Sequence, residues 1–466
     1  MRRLQTAWLL ALVLGIGCSS GDGSDPVDVV QDVTLEVASD LALQDAVIPD
    51  LLPELVADRA EEVEAPEEIL EDDLVELVEL VEDVVEDVVE DVSPDITPDI
   101  ADAQQDIKAP PQFHHPAQWG PYDVGVRSYQ FYDADRQRLV PTYVWYPAVA
   151  GGQELEKYVM MLEGKGYKDA PVDASGAPYA MVLFSHGFNG ISWQSLSFTN
   201  FVASHGYIVV AMDHQGNTLF DFNADDELVA KVALERPHDV KFSYEEVVAL
   251  SMNPTSPLFG MVEPSRIAMT GHSFGGYTAL MVSGGYNVVN DAKAECDAGA
   301  ASDIFCPYIG YWPAGETVSL DPGIPGLKAV ACLAPGGYSA FGDPGLAAVD
   351  VPALIVGGSL DPTTPMDVEV HPIFNALPQP KMLAEVINAS HMSFTNVCDL
   401  PPAQWFLDDF CGVEGMLGPD ETFPPVNALV VSFLNVHVRK EEQYGGFLTQ
   451  EYLDEAYGFV VLQSGE

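Results

Sequence analysis

Positive charge is what this chain has least of: 19 Lys and Arg stand against 72 Asp and Glu in 466 residues, a formal net charge of −53. A nucleic-acid partner is excluded on that ground, as is electrostatic attraction to an anionic membrane, because phosphate contact needs clustered Lys and Arg. Cysteine is scarce as well. The six present show no zinc-like spacing, so no metal site is expected, and no organic cofactor is called for. Aromatic residues are missing altogether from 19–111, which leaves that segment little with which to form a core. The apolar run Ala7 to Ile16 is too short to cross a bilayer as a mature helix.

That run follows Arg2 and Arg3 and is followed by small residues and Cys18, the pattern of a signal peptide over 1–18. "GIGC" resembles a bacterial lipobox, although Gly15 stands where such motifs usually have Leu. The resemblance implies that Cys18 becomes the lipidated first residue and anchors the chain to a membrane, with plain secretion as the alternative. Ser19, by resemblance to Gram-negative lipoproteins, permits transfer to the outer membrane or cell surface. Residues 19–108 then carry thirty Asp and Glu against Arg59 and Lys108. Such like charge reads as an extended acidic tether over 19–111. A coiled coil near 74–92 competes, but acids on every face and β-branched valine oppose it.

From Gln112 the composition changes to aromatics, glycines and strand-like apolar runs. Eight strands are expected, near 128–133, 139–148, 179–187, 207–216, 265–273, 327–335, 352–361 and 381–391, the later ones near-continuously apolar as in buried parallel sheets. Helical stretches fall between them, at "WQSLSFTNFVASH", "DVKFSYEEVVALSM", "GYTALMVSG" and "MDVEVHPIFNAL", with "PPVNALVVSFLNVHVR" after the last strand. Two strands without an intervening helix, then strict alternation, predict one α/β domain over 112–466: a mostly parallel eight-stranded sheet with helices on both faces.

The chemistry concentrates at "RIAMTGHSFGGYTALMVSG", 265–283. Alone, G-x-S-x-G is common by chance; here Gly271-His272-Ser273-Phe274-Gly275 closes a predicted strand and opens a predicted helix, as a nucleophile elbow must. A serine is a poor nucleophile until a base takes its proton and an acid orients that base. Partners should follow later strands, at the carboxyl edge of the sheet. Asp361 follows "PALIVGGSL" and His391 follows "KMLAEVINAS". His186, His205, His214, His238 and His272 precede the serine, while His371 and His437 fall inside helical stretches, so His391 is the expected base. Asp367 competes with Asp361 but lies a turn into the next helix. For the oxyanion, the amides of Phe274 and Phe188 are the candidate donors, with Gly187 as the alternative to Phe188 and His186 as a brace for the "FSHGFNG" loop.

"VLFSHGFNGISWQSLSFTNFVASHGYIVVAMDHQGN", "GHSFGGYTA", "RPHDVKFSYEEV" and "VRSYQFYDADRQRLVPTYVWYPA" together resemble α/β-hydrolases of the platelet-activating factor acetylhydrolase and dienelactone hydrolase-like group, and bacterial cutinases around the same serine. The resemblance runs from about Gly120 to Ser393. It implies an α/β-hydrolase fold with Ser273, Asp361 and His391 as triad, Phe188 and Phe274 as oxyanion donors, and short-chain or phospholipid-type esters as substrates. A cutinase-like polyesterase is the runner-up, and a surface lipoprotein that kept the fold only to bind is the alternative of another class. True dienelactone hydrolases use cysteine, so Ser273 argues against that activity.

Two insertions depart from the group, one between the helix after Ser273 and the strand at 327, the other over about 394–424. Cysteine spacing suggests a local disulfide in each, Cys296 with Cys306 and Cys398 with Cys411, leaving Cys332 as a buried thiol. The second insertion contains Trp405, Phe406 and Phe410, and both are expected either to roof the site with Tyr308, Tyr311 and Trp312, or to be decorations stapled for stability. Acyl length, alcohol group and oligomeric state are not legible.

Overall fold

In the computed structural model the described residues are 113–465, apart from 159–161, 222–224, 299–304, 314–316, 321–322, 400–410 and 412. The signal segment with Cys18 and the acidic segment 19–111 lie outside them, as do Trp405, Phe406 and Phe410.

The expected eight strands all form, and three more extend them. In chain order the strands are β1 (Asp123–Asp133), β2 (Arg138–Ala148), β3 (Leu155–Tyr158), β4 (Leu162–Lys168), β5 (Tyr179–Ser185), β6 (Tyr207–Met212), β7 (Val262–His272), β8 (Tyr286–Val288), β9 (Thr317–Ser319), β10 (Leu327–Leu333), β11 (Ala353–Gly358), β12 (Lys381–Val386) and β13 (Val460–Ser464). One sheet of eleven strands, rather than eight, runs β13-β12-β11-β10-β7-β5-β6-β2-β1-β4-β3, and β8 pairs with β9 apart from it. The centre from β12 through β10, β7 and β5 to β6 is parallel. β2 and β13 join it antiparallel. Of the additions, β3 and β13 lie at the two edges and β4 lies between β1 and β3. β3 and β4, with their lysines, glutamates and, in β4, glycines, carry no apolar run, which is why periodicity does not show them, and β13, Val460–Ser464, is only five residues long.

The helices that matter are α1 (Leu196–Ser204), α2 (Asp226–Met252), α3 (Phe274–Val282), α4 (Val289–Asp297), α5 (Cys306–Ile309), α6 (Tyr338–Leu346), α7 (His371–Ala376) and α8 (Pro419–Leu434). Alternate residues of the central strands feed two separate cores, as a pleated sheet covered on both faces requires. Met181 and Leu183 join Val240 of α2, Tyr277 of α3 and Ile373 of α7 on one face. Val182 and Phe184 join Phe198 of α1 and Leu429 of α8 on the other. The result is a three-layer α/β-hydrolase architecture. The chain leaves β5 to one side for β6, then crosses back over it through α2 to β7. That reversal opens a crevice at the carboxyl ends of β5 and β7. Among the described residues no helix is long and apolar enough to cross a membrane.

Candidate active site

Ser273 sits between the last residue of β7 and the first of α3, with φ 56° and ψ −118°. A non-glycine residue rarely takes a positive φ, and doing so costs free energy that the surroundings must offset. Here the flanking glycines make the turn possible. A Cβ on Gly271 would lie 2.1 Å from the carbonyl oxygen of Gly275, and one on Gly275 would lie 1.8 Å from that of Ser185. Strand, turn and helix therefore meet with no room for side chains. The Ser273 N–H donates to Leu333 O at 2.9 Å, continuing the β7–β10 ladder into the turn.

Asp361 and His391 lie just beyond β11 and β12, and the sheet brings them together. His391 Nδ1 is 2.8 Å from Asp361 Oδ2. The other carboxylate oxygen accepts the N–H groups of Thr363 and Thr364 at 2.8 and 2.9 Å, and Thr364 Oγ1 lies 2.7 Å from Oδ2. Burial acts to raise the Asp361 carboxyl, but the charge and hydrogen bond of His391 and the Thr364 bonds outweigh it and hold the group below the usual aspartate range. The acid therefore stays ionised beside the imidazole. No hydrogen bond joins Ser273 Oγ to His391 among the described residues. Such links are often long before substrate binds. The Ser273 side is tied to His391 through its neighbour, since the His272 ring lies 4.8 Å from that of His391 and His272 Nε2 lies 3.0 Å from His391 O. Asp367 lies in a π-helical turn, Met366–Val370, leading into α7, away from this pairing.

The loop after β5 passes directly against the serine: a Cβ on Gly187 would be 3.5 Å from Ser273 Cβ and 3.1 Å from His272 Nδ1. The Gly187 N–H is already committed to Gln194 Oε1 at 3.1 Å. Neither the Phe188 nor the Phe274 amide donates to a protein acceptor among the described residues, and their rings lie 6.2 Å apart. His186 is fully buried. Its Nδ1 is 2.7 Å from Gly187 O, and its Nε2 accepts the His214 N–H at 3.1 Å. It packs inside the loop rather than on the surface.

Sequence reasoning missed Gln194. Its amide oxygen takes the Gly187 N–H, its nitrogen is 3.1 Å from His272 Nδ1, and the other ring nitrogen of His272 reaches His391 O. The loop after β5, the elbow and the histidine after β12 are thus joined by one neutral relay. Burial, then the neighbouring His391, pulls the His272 pKa down to about 3. The tautomer with Nε2–H satisfies both contacts. Only the residue types Gln and His marked this relay in sequence, and neither is distinctive.

Both cysteine pairs form as their spacing suggests, and Cys332 is a buried free thiol. The first insertion delivers Phe305 against Phe274 at 5.1 Å and Tyr308 stacked on Phe188 at 6.2 Å. Tyr308 therefore stands beside the site, but Trp312 does not. It is buried against α2, with its indole N–H donating to Ala230 O, because a large aromatic with one satisfied donor is better placed in the core. Tyr311 is 54% exposed.

Residues 170–294 match the chlorophyllase family. The matched stretch includes β5, the loop after it, α2, the elbow and α3. The chlorophyllase family belongs to the α/β-hydrolase esterase superfamily, so this domain is of an ester-hydrolase type. No curated protein matches the chain. Asp361, His391 and the second insertion lie beyond the chlorophyllase-like segment.

Proposed function

We propose that the chain is a serine carboxylic ester hydrolase working through an acyl-enzyme. The observation that carries the reading is a strained serine at a glycine-lined elbow on the same sheet edge as a hydrogen-bonded, ionised Asp361–His391 pair. Ser273 Oγ attacks the ester carbonyl as His391 Nε2 takes its proton. Asp361 holds the imidazole in the needed tautomer and stabilises the imidazolium that forms. The Phe188 and Phe274 amides receive the oxyanion. His391 then protonates the leaving alcohol and activates water to release the acid.

Short-chain or phospholipid-type esters fit the surroundings best, because Phe188, 44% exposed, and Tyr308 form an aromatic wall next to the serine. A polyester substrate is the second reading, favoured by the exposure of Phe188 and the absence of Trp312 from any cover. Chlorophyll enters only through the name of the matched family. A panel of p-nitrophenyl esters of rising acyl length, an acetylated phospholipid, a polyester film and chlorophyll separates these readings. Turnover of every substrate by Ser273→Ala equal to that of the wild type refutes the mechanism. We further propose export with lipidation at Cys18 and a tether over 19–111, on the signal and charge pattern alone. Loss of detergent-phase partitioning in Cys18→Ser tests the anchor.

A further inference from the structure

The triad gives no reason for Arg236. This arginine of α2 is 0% exposed, and among the described residues it forms no ion pair. All three of its nitrogens donate instead to neutral acceptors: Nε to Thr278 Oγ1 at 3.0 Å, Nη1 to Asn217 Oδ1 at 2.9 Å, and Nη2 to Ser185 Oγ at 3.0 Å and to the carbonyl of His186. The guanidinium also lies over the Phe274 ring, 4.5 Å from its centroid. The nearest anion, Asp239, is reached only through His214 and Ser185 and is already paired with Arg136 and Arg138. A buried charge held this way is costly and persists where its surroundings offset it.

Its partners surround the oxyanion loop. His186 O is one end. At the other, Asn217 donates from Nδ2 to Asn189 Oδ1 at 3.0 Å, so the segment 186–189, with the Phe188 amide inside it, is tied to one guanidinium from both sides. The Thr278 and Phe274 contacts tie the same group to α3, whose first amide is the second donor. We propose that Arg236 is the positioning residue of the oxyanion hole, setting the Phe188 and Phe274 amides against one another and placing a positive charge behind them. The inference rests on the serine-hydrolase reading above.

The test uses the full chain with p-nitrophenyl butyrate and an alkyl trifluoromethyl ketone, which binds serine hydrolases as a tetrahedral oxyanion. Arg236→Met is expected to lower kcat about 100-fold with KM within about threefold, the size of losing one oxyanion donor. Ketone affinity should fall by a similar factor, which loss of packing alone would not produce. Should Arg236→Met not fold, the exposed Asn189 decides. Its φ of 49° suits glycine. Asn189→Gly should lower kcat and ketone affinity together at unchanged Tm, and Asn189→Asp, which keeps the acceptor oxygen, should restore both. Wild-type kcat in a folded Arg236→Met, or in Asn189→Gly when Arg236→Met does not fold, overturns the inference. So does a kcat loss without weaker ketone binding. Absence of esterase activity in the wild type would instead overturn the serine-hydrolase reading.

Discussion

Replacing Asp361 with asparagine changes one atom and should disable the imidazole as a base. The Asp361 oxygen that accepts the Thr363 and Thr364 amides at 2.8 and 2.9 Å faces two donors, so the asparagine carbonyl must stay there. Its NH2 then occupies the Oδ2 position, 2.8 Å from His391 Nδ1 and 2.7 Å from Thr364 Oγ1. A donor facing Nδ1 requires a lone pair on that nitrogen, and the ring proton moves to Nε2, where it points at the serine. The base is then in the wrong tautomer, and the imidazolium loses its anion. Such an inversion costs about 10⁴-fold in kcat, or about 5.4 kcal/mol of barrier at 1.36 kcal/mol per decade. KM for p-nitrophenyl butyrate should change little, because Asp361 is buried behind the histidine. A folded Asp361→Asn within tenfold of wild-type kcat would refute this role for the carboxylate.

Three further outcomes follow from the same geometry. Gly275→Ala would place a methyl 1.8 Å from Ser185 O, beyond ordinary overpacking, and should destabilise by more than about 3 kcal/mol, read as a lowered urea midpoint; a neutral substitution would contradict the packing. His205 and His272 are held at about 3 by burial, against about 6.5 unfolded. Between those values the unfolded chain binds more protons, so their contribution is fully present above pH 6.5 and falls as pH drops toward 3. Each should lose roughly 2 kcal/mol by pH 5, seen as a lower urea midpoint at pH 5 than at pH 7. Removing the Cys296–Cys306 bond, which closes a separation of 10 residues, with the double change Cys296→Ala/Cys306→Ala should cost about 3 kcal/mol by loop entropy. KM should rise more than kcat falls, because Tyr308 is held beside Phe188 by that insertion.

The sheet was legible where burial on both faces forces continuous apolar runs, as in "LKAVACL" and "ALIVGG". It was illegible at "LEGKGYK", whose charged and glycine residues break any apolar run and read as loop, although the strand pairs with β1 on one side and β3 on the other. Helix α2 begins at Asp226, thirteen residues before the stretch read from sequence, because Pro237 argues against a helix interior. The positions of Ser273, Asp361 and His391 were legible because each follows a strand of the sheet within five residues. Gln194 and Arg236 were not: they act across 78 and 50 residues of chain, on a ring nitrogen and a backbone carbonyl, and no local spacing encodes such contacts. Trp312 looked like a cover residue by composition alone, and its single N–H found a carbonyl in the core instead.

The central claim is that Ser273 is an activated nucleophile, and covalent trapping tests it most directly. Incubation with diethyl p-nitrophenyl phosphate should add one diethylphosphoryl group per chain, release one p-nitrophenolate, and place the mass increment on the peptide containing Ser273. Wild-type protein that stays unmodified, or that is labelled equally after Ser273→Ala, would contradict the account.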